Sequence, residues 1–430
     1  MISSQENRAI DLDKWLKSLC YRGRVKDAVG LLWRCGMKLY PVNYSLLLQE
    51  SIFQKQYECG KILHAHLIVF GQSCSIFLQN KLLILYSKLG DLRTALIFFH
   101  GLKETHLVSW NAIISGYVQN GRQDLSLQLY YEMRDTGLNP DQYTFASIFK
   151  ACAMSAELER GKQAHSLMIK LHLKENVIVS SALVDMYFKC CDINSGCKVF
   201  DRTVNRNVFT WTCLISGFAL HGRVVEVLEY FRSMIGEGFR PNYVTFLAVI
   251  SACNYAGLVK EGWNHFLSME RDFGIKPRKQ HYAVMVDLLG RVGRLQEAFM
   301  FAQSSPYKEH AVVWGSLLNA CRIYGDRELL KLVTKQYFDL DSKNAGKHVV
   351  LSNALANSED WINVAEVRKW MKVCGIIKEP GYSRITVNGT EHVFLSGDKL
   401  SEKYKNVCTV VDEISCFVED SICITLNSLG

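Results

Sequence analysis

Proline is scarce here, with six in 430 residues, and that scarcity excludes a proline-rich linker or a polyproline chain. Alternating strand patterns are almost as rare, whereas apolar residues recur with a 3.6-residue period along most of the length, so the chain is expected to be all-α. None of the fifteen cysteines forms a C-x-x-C pair. They are scattered, mostly on apolar helical faces, which favours buried reduced thiols over a disulfide framework or a zinc ribbon. The adjacent Cys190 and Cys191 could be sought as metal ligands, but core and turn roles suit them better. No segment offers 18 uninterrupted apolar residues: the best candidate, AHLIVFGQSCSIFLQN, is broken by Gly71 and Gln72, so no membrane span is expected.

Catalytic patterns are missing as well. The chain has no G-x-x-x-x-G-K-[ST] phosphate loop, no H-E-x-x-H and no G-x-S-x-G elbow. It also lacks both the H-x-E and the P-C-x-x-C strings that a zinc deaminase needs for its ligands and proton shuttle. No catalytic residue, cofactor or resident metal is therefore expected. The opening MISSQENRAIDLDKW carries Glu6, Asp11 and Asp13 without an apolar core, so it is no secretory signal and a poor transit peptide.

What the chain does have is apolar content, 49%, ample for burial, and a formal net charge of +8, which suits a polyanionic partner without requiring one. It also repeats itself. VSWNAIISGY from Val108, FTWTCLISGF from Phe209 and VVWGSLLNAC from Val312 each open with a tryptophan followed by apolar residues at i+3, i+4 and i+7. That spacing marks one face of a helix, and the glycines eleven places later (Gly121, Gly222, Gly325) mark its end. GKILHAHLI from Gly60 matches GKQAHSLMI from Gly161, and TFASIFKAC from Thr144 matches TFLAVISAC from Thr245.

The copies recur about every 101 residues, as from Trp110 to Trp211, and each such period divides into three helix-turn-helix units. The first full set runs from Leu107 to Asp141, Gln142 to Asn176 and Val177 to Asn207, with lengths of 35, 35 and 31 residues. The same register gives units from Asp11, about Pro41 and Ile76 on one side, and from Val208, Tyr243, Lys279, Ala311 and Ala345 on the other. Units of this size bury their apolar faces only by stacking on neighbours. The expected fold is a right-handed α-solenoid superhelix with a long groove.

The alternating lengths, together with VSWNAIISGY, GLNPDQYTFASIFKAC, SALVDMYFKC and HYAVMVDLLGRVGRLQEA, strongly resemble plant pentatricopeptide repeat proteins of the PLS class. The tail AVVWGSLLNAC…IKEPGYSRITVNGTEHVFLSGD resembles that class's E1 and E2 motifs followed by the start of an E+ segment. The resemblance implies a tail over 1–10, a repeat array over 11–310, E1 and E2 over 311–380, and a partial E+ extension with a closing helix near Ser401–Glu419 over 381–430.

The resemblance also implies binding of single-stranded organellar RNA, one base per repeat, to specify C-to-U editing, with catalysis borrowed from a deaminase-bearing partner or multiple organellar RNA editing factors. The organelle would be the mitochondrion or the chloroplast. In that family the fifth residue of a unit and its last residue together discriminate the base. Asn111 with Asp141 would read uridine; Ser181 with Asn207 and Thr212 with Asn242 would each read adenine. Asn80 with His106 keeps the pyrimidine-favouring asparagine and departs at the second place. Ala146 with Asn176, Leu247 with Arg278, and Ala283 with His310 fall outside the readable combinations. The implied target is pyrimidine–U–any–A–A, 5′ to 3′, with second residues such as Val108, Ile178 and Phe209 sandwiching the bases.

Plainer roles stand beside these. Asp141 and Asn242 each follow a proline and precede a helix, where a short polar side chain caps backbone N–H groups. His64 and His165 suit packing, and the tryptophans suit the core. Two other readings of the whole stay open: RNA binding without editing, and a peptide-binding scaffold of the tetratricopeptide type.

Overall fold

The computed structural model describes residues 14–71, 75–173, 176–340, 345–357, 361–376, 381–387 and 390–395. Its helices come in pairs, and the chain divides into two compact units, Met1–Leu288 and Leu289–Gly430. In the first unit the pairs are α1 (residues 14–21) with α2 (Val25–Cys35), α3 (Pro41–Phe53) with α4 (Tyr57–Val69), α5 (Ile76–Leu89) with α6 (Leu92–His100), and α7 (Leu107–Gln119) with α8 (Gln123–Asp135). They continue as α9 (Gln142–Ser155) with α10 (Leu158–Lys170), α11 (Val177–Lys189) with α12 (Ile193–Arg202), α13 (Val208–Leu220) with α14 (Val224–Gly236), and α15 (Tyr243–Tyr255) with α16 (Val259–Arg271). Helix α17 (Lys279–Arg291) crosses the division.

Within the first unit, α5 packs on α7, α7 on α9, α9 on α11, α11 on α13 and α13 on α15. The first helices of successive pairs thus form one layer, and each second helix lies between its own first helix and the next. The repeated apolar faces drive this. Trp110, Ile113, Ile114 and Tyr117 are buried, as are Trp211, Leu214, Ile215 and Phe218, each large apolar side chain contributing about 1.5–3 kcal/mol relative to exposure. Phe99 meets Trp110 edge-on at 4.6 Å, and Phe200 meets Trp211 at 4.8 Å, so each second helix delivers a ring to the tryptophan of the following pair.

The glycine of the ISGY and ISGF segments serves close approach. A Cβ on Gly116 would lie 2.5 Å from Ser87 Cβ, and one on Gly217 would strike the buried Phe188 ring. Gly121 and Gly222 adopt left-handed backbone, with φ of 73° and 68°, where the chain turns into the second helix. His64 and His165 pack as their spacing suggested: their Nδ1 atoms lie 2.8 and 2.9 Å from the hydroxyls of Tyr86 and Tyr187, and burial pushes both imidazoles below the usual histidine range.

The second unit holds α18 (Leu295–Ser304), α19 (Ala311–Tyr324), α20 (Arg327–Leu340), α21 (Ala345–Asn357) and α22 (Trp361–Val373). Trp314, Leu317, Leu318 and Cys321 are buried, and Gly325 ends α19 with φ of 71°. Trp314 Nε1 donates to the Lys308 carbonyl at 2.7 Å. An antiparallel hairpin follows, β1 (Tyr382–Val387) and β2 (Thr390–Leu395), in register Tyr382↔Leu395 through Val387↔Thr390. The helical periodicity that organises the chain gives no hint of this hairpin. Its signal is local: β-branched residues flank an Asn-Gly dipeptide in the sequence, the favoured link of a two-residue turn. The closing helix expected near Ser401–Glu419 lies outside the described residues.

Candidate functional site

Each first helix begins where the preceding unit's last residue ends, so those last residues are N-caps by position. The fold gives them different cap chemistry. Asp141 Oδ1 accepts from the Thr144 N–H at 2.8 Å, and the Asp141 N–H donates to Thr144 Oγ1 at 3.2 Å, completing a reciprocal capping box. Asn242 Oδ1 accepts from the Val244 and Thr245 N–H groups at 2.8 and 3.0 Å, and Asn207 Oδ1 from Phe209 and Thr210 at 2.9 and 3.0 Å. Asn176 Oδ1 takes the Val179 N–H at 2.9 Å. His106 makes no side-chain cap and is exposed beside Glu104, with 3.9 Å between Nε2 and the carboxylate.

This geometry fixes what each cap turns outward. An asparagine whose oxygen is used by helix N–H groups directs its NH₂ away from the helix and offers donors only. A capping aspartate uses one oxygen and keeps a second as acceptor. Asn207 and Asn242 are therefore donor caps, and Asp141 is an acceptor cap.

The fifth residues stand against the caps. Asn111 Nδ2 donates to Asp141 Oδ1 at 3.0 Å, and Thr144 Oγ1 donates to Asn111 Oδ1 at 2.6 Å. The pair singled out in the sequence is thus in direct contact, and Thr144 lies against both of its members. Ser181 and Asn207 are joined through a shared hydroxyl: Ser181 Oγ lies 3.0 Å from Thr210 Oγ1, which in turn lies 3.2 Å from the Asn207 cap oxygen. Thr212 meets Thr245 Oγ1 at 2.8 Å in the same manner, with Asn242 behind it at 3.3 Å. Asn80 Oδ1 accepts from Ser109 Oγ at 2.8 Å, and His106 takes no part.

The Ser181 and Thr212 hydroxyls also donate to the carbonyls of Val177 and Val208, at 2.7 and 2.6 Å. A hydroxyl has one hydrogen, so what these two largely buried side chains retain is acceptor capacity.

Three units lack such a set. Ala146 supplies no polar atom, and the Asn176 amide donates to Gln142 Oε1. In the unit of Leu247, the Arg278 guanidinium sits 3.5 Å from the Tyr243 ring centroid. His281 there accepts the Arg278 N–H on Nδ1 at 3.0 Å and donates from Nε2 to the Tyr243 carbonyl at 2.8 Å. Ala283 is buried, and His310 caps nothing with its side chain.

Val108, Ile178 and Phe209 are exposed by 60, 55 and 68% on otherwise well-packed helices. Phe77, Tyr143 and Val244 are exposed at the same second place, giving a line of apolar side chains, one per unit. Lys88, in the last turn of α5, and Lys150 of α9 lie close enough to interact: burial, and then the Lys150 charge, lower the Lys88 ammonium below the ordinary lysine value. Among the described residues no group of three or more His, Cys, Asp or Glu could hold a metal ion.

Residues 105–154 and 206–254 match the PPR repeat family, and residues 324–386 match the E motif. A pentatricopeptide repeat-containing protein of Arabidopsis thaliana is 53% identical over 400 residues, covering 92% of this chain and 80% of that protein. From the same plant, a mitochondrial pentatricopeptide repeat-containing protein is 38% identical over 338 residues, 79% of this chain and 53% of that one. The chloroplastic pentatricopeptide repeat-containing protein CRR2 is 36% identical over 397 residues, 90% and 60% respectively. The chain therefore spans four-fifths of the first relative and little more than half of the other two. Among solved structures, the pentatricopeptide repeat protein PPR10 in complex with an 18-nt psaJ RNA element superposes with a TM-score of 0.60 at 13% identity, over 84% of this chain and 60% of that one. That likeness is one of fold.

Proposed function

The chain belongs to the pentatricopeptide repeat family, as a plant PLS-type member of the E subgroup, and from that premise we propose that it binds single-stranded organellar RNA and marks a site for C-to-U editing. The observation that carries the reading is the Asn111–Asp141 contact at 3.0 Å, with its fixed donors and acceptors. Uracil offers a ring N–H flanked by carbonyl acceptors. The second Asp141 oxygen accepts from that N–H, and the remaining Asn111 amide hydrogen donates to a carbonyl. Adenine offers a bare ring nitrogen beside an amino group. The outward NH₂ of Asn207 or Asn242 donates to the nitrogen, and Ser181 or Thr212 accepts from the amino group.

Bases held in this way are gripped between the exposed second residues, Val108, Ile178 and Phe209 among them. Base stacking and apolar contact of this kind contribute about 1–3 kcal/mol per base. Lys88 and Lys150 supply positive charge for the phosphates. Ala146 with Asn176 takes any base. The organellar location rests on the mitochondrial and chloroplastic relatives.

Editing is favoured over RNA binding alone by the match of residues 324–386 to the E motif. The E1 and E2 helices and the segment after them recruit a deaminase-bearing partner or editing factors, because the chain itself carries no H-x-E or P-C-x-x-C. The test is transcript sequencing in plants lacking the protein, scoring every cytidine. The expected result is lost conversion at one or a few sites preceded by pyrimidine–U–any–A–A. Intact editing with altered transcript ends, splicing or abundance would favour RNA binding without editing. Purified protein that deaminates cytidine unaided would defeat the division of labour.

A further inference from the structure

We propose that the third residue of each first helix, Ser109, Thr144, Thr210 or Thr245, is a positioning residue for base reading by the unit before it, so that one base is read by a device built across two units. This rests on the base-reading function proposed above and adds a residue to it. The geometry repeats four times. Ser109 to Asn80 is 2.8 Å, Thr144 to Asn111 is 2.6 Å, Thr210 to Ser181 is 3.0 Å and Thr245 to Thr212 is 2.8 Å. All four hydroxyl-bearing residues are fully buried, with 0% exposure, so they reach the fifth residue from behind and leave its outer side clear. In three cases the same hydroxyl also touches the cap, Asp141, Asn207 or Asn242.

The hydrogen count shows what this does. Thr144 Oγ1 accepts the Asp141 N–H, so its single hydrogen goes to an oxygen, and the shorter contact is Asn111 Oδ1. A donor aimed at Oδ1 fixes which way round the Asn111 amide lies and turns Nδ2 toward Asp141. Ser181 and Thr212 spend their own hydrogens on backbone carbonyls, so Thr210 and Thr245 direct their single hydrogens to them, at 3.0 and 2.8 Å, in preference to the longer contacts with the Asn207 and Asn242 oxygens at 3.2 and 3.3 Å. In each case the hydroxyl anchors the fifth residue in one hydrogen-bonding state. Where the fifth residue is apolar the anchor is absent from the sequence: Ala146 is followed at that place by Val179, Leu247 by His281 and Ala283 by Val313.

The experiment measures the affinity of the full chain for RNAs built on pyrimidine–U–any–A–A, in sets of four that differ only at the second, third, fourth or fifth base. Wild type should prefer uridine at the second. Thr144→Val should reduce that preference by about tenfold, in line with the worth of one well-placed polar pair, while discrimination at the two adenine places holds. Thr144→Ser should retain the preference. Conversely, Ala146→Asn with Val179→Thr should create a preference at the third base, for cytidine, that Ala146→Asn alone does not. A wild type that prefers uridine and a Thr144→Val variant that prefers it equally would overturn the positioning role and leave base reading standing. No preference in wild type would overturn base reading and this role with it. Thermal unfolding of each variant separates a general loss of helix capping, which would weaken binding at all places alike.

Discussion

The unit that begins at Leu107 and the unit that begins at Tyr243 share a helix pair and a buried seam, yet one keeps its cap region open and the other fills it. In the first, Asn111, Asp141 and Thr144 form a closed hydrogen-bonded triangle with one carboxylate oxygen and one amide hydrogen to spare. In the second, Leu247 supplies nothing polar, the Arg278 guanidinium lies on the Tyr243 ring, and His281 bonds back to both segments. Stacking requires only the apolar face, so the outward-facing positions of each unit are free to serve recognition or to close on themselves.

The change with the largest expected effect converts the open cap. Asp141→Asn still caps α9, but it replaces an acceptor with a donor. Preference at the second base should move from uridine to cytidine, whose ring nitrogen is bare, with a swing of about ten- to a hundredfold for a well-placed polar pair. Four RNAs differing at that base read it directly.

A second change attacks the frame both kinds of unit share. Gly217→Ala drives a methyl into the buried Phe188 ring between α11 and α13. It should destabilise the chain by about 1–3 kcal/mol, as overpacking does, and lower the midpoint of thermal unfolding without altering which base any unit prefers.

Removing charge should act uniformly where the cap change acts locally. Lys150→Ala should weaken all RNAs alike and lower the slope of log affinity against log salt by about 0.7, one phosphate contact on a single strand. A titration from low to high salt measures it.

The smallest effect concerns the closed unit. Burial holds the His281 imidazole below its ordinary value, with the hydrogen bond to the Tyr243 carbonyl opposing that and the Arg278 charge adding to it. The folded state therefore binds protons less readily than the unfolded one. This contribution to stability is present above the ordinary histidine pKa of about 6.5 and is lost as pH falls through the lower folded value. His64, His66, His165 and His265 are lowered by burial as well, so the melting temperature should fall between neutral pH and pH 5. His281→Thr should blunt that fall slightly.

Much of this was legible in the sequence. Trp110, Trp211 and Trp314 announced three copies of one helix, and first helices do begin at Leu107, Gln142, Val177, Val208 and Tyr243. The cap roles of Asp141 and Asn242 followed from residue type and a preceding proline. Thr144, Thr210 and Thr245 were visible as hydroxyls three places after a cap, but nothing local reveals that they serve a residue about 30 positions earlier. The hairpin of Tyr382–Val387 and Thr390–Leu395 escaped because six-residue strands carry little periodic signal beside thirteen-residue helices.

The sequence by itself determined the helix pairs, their spacing and the apolar seams that stack them, because helical periodicity and capping are local and repeat with the chain. Only the tertiary structure decided which polar atoms remain available outside. That depends on hydrogen-bond partners brought from neighbouring units: Thr144 to Asn111, Thr245 to Thr212, and His281 to the Tyr243 carbonyl.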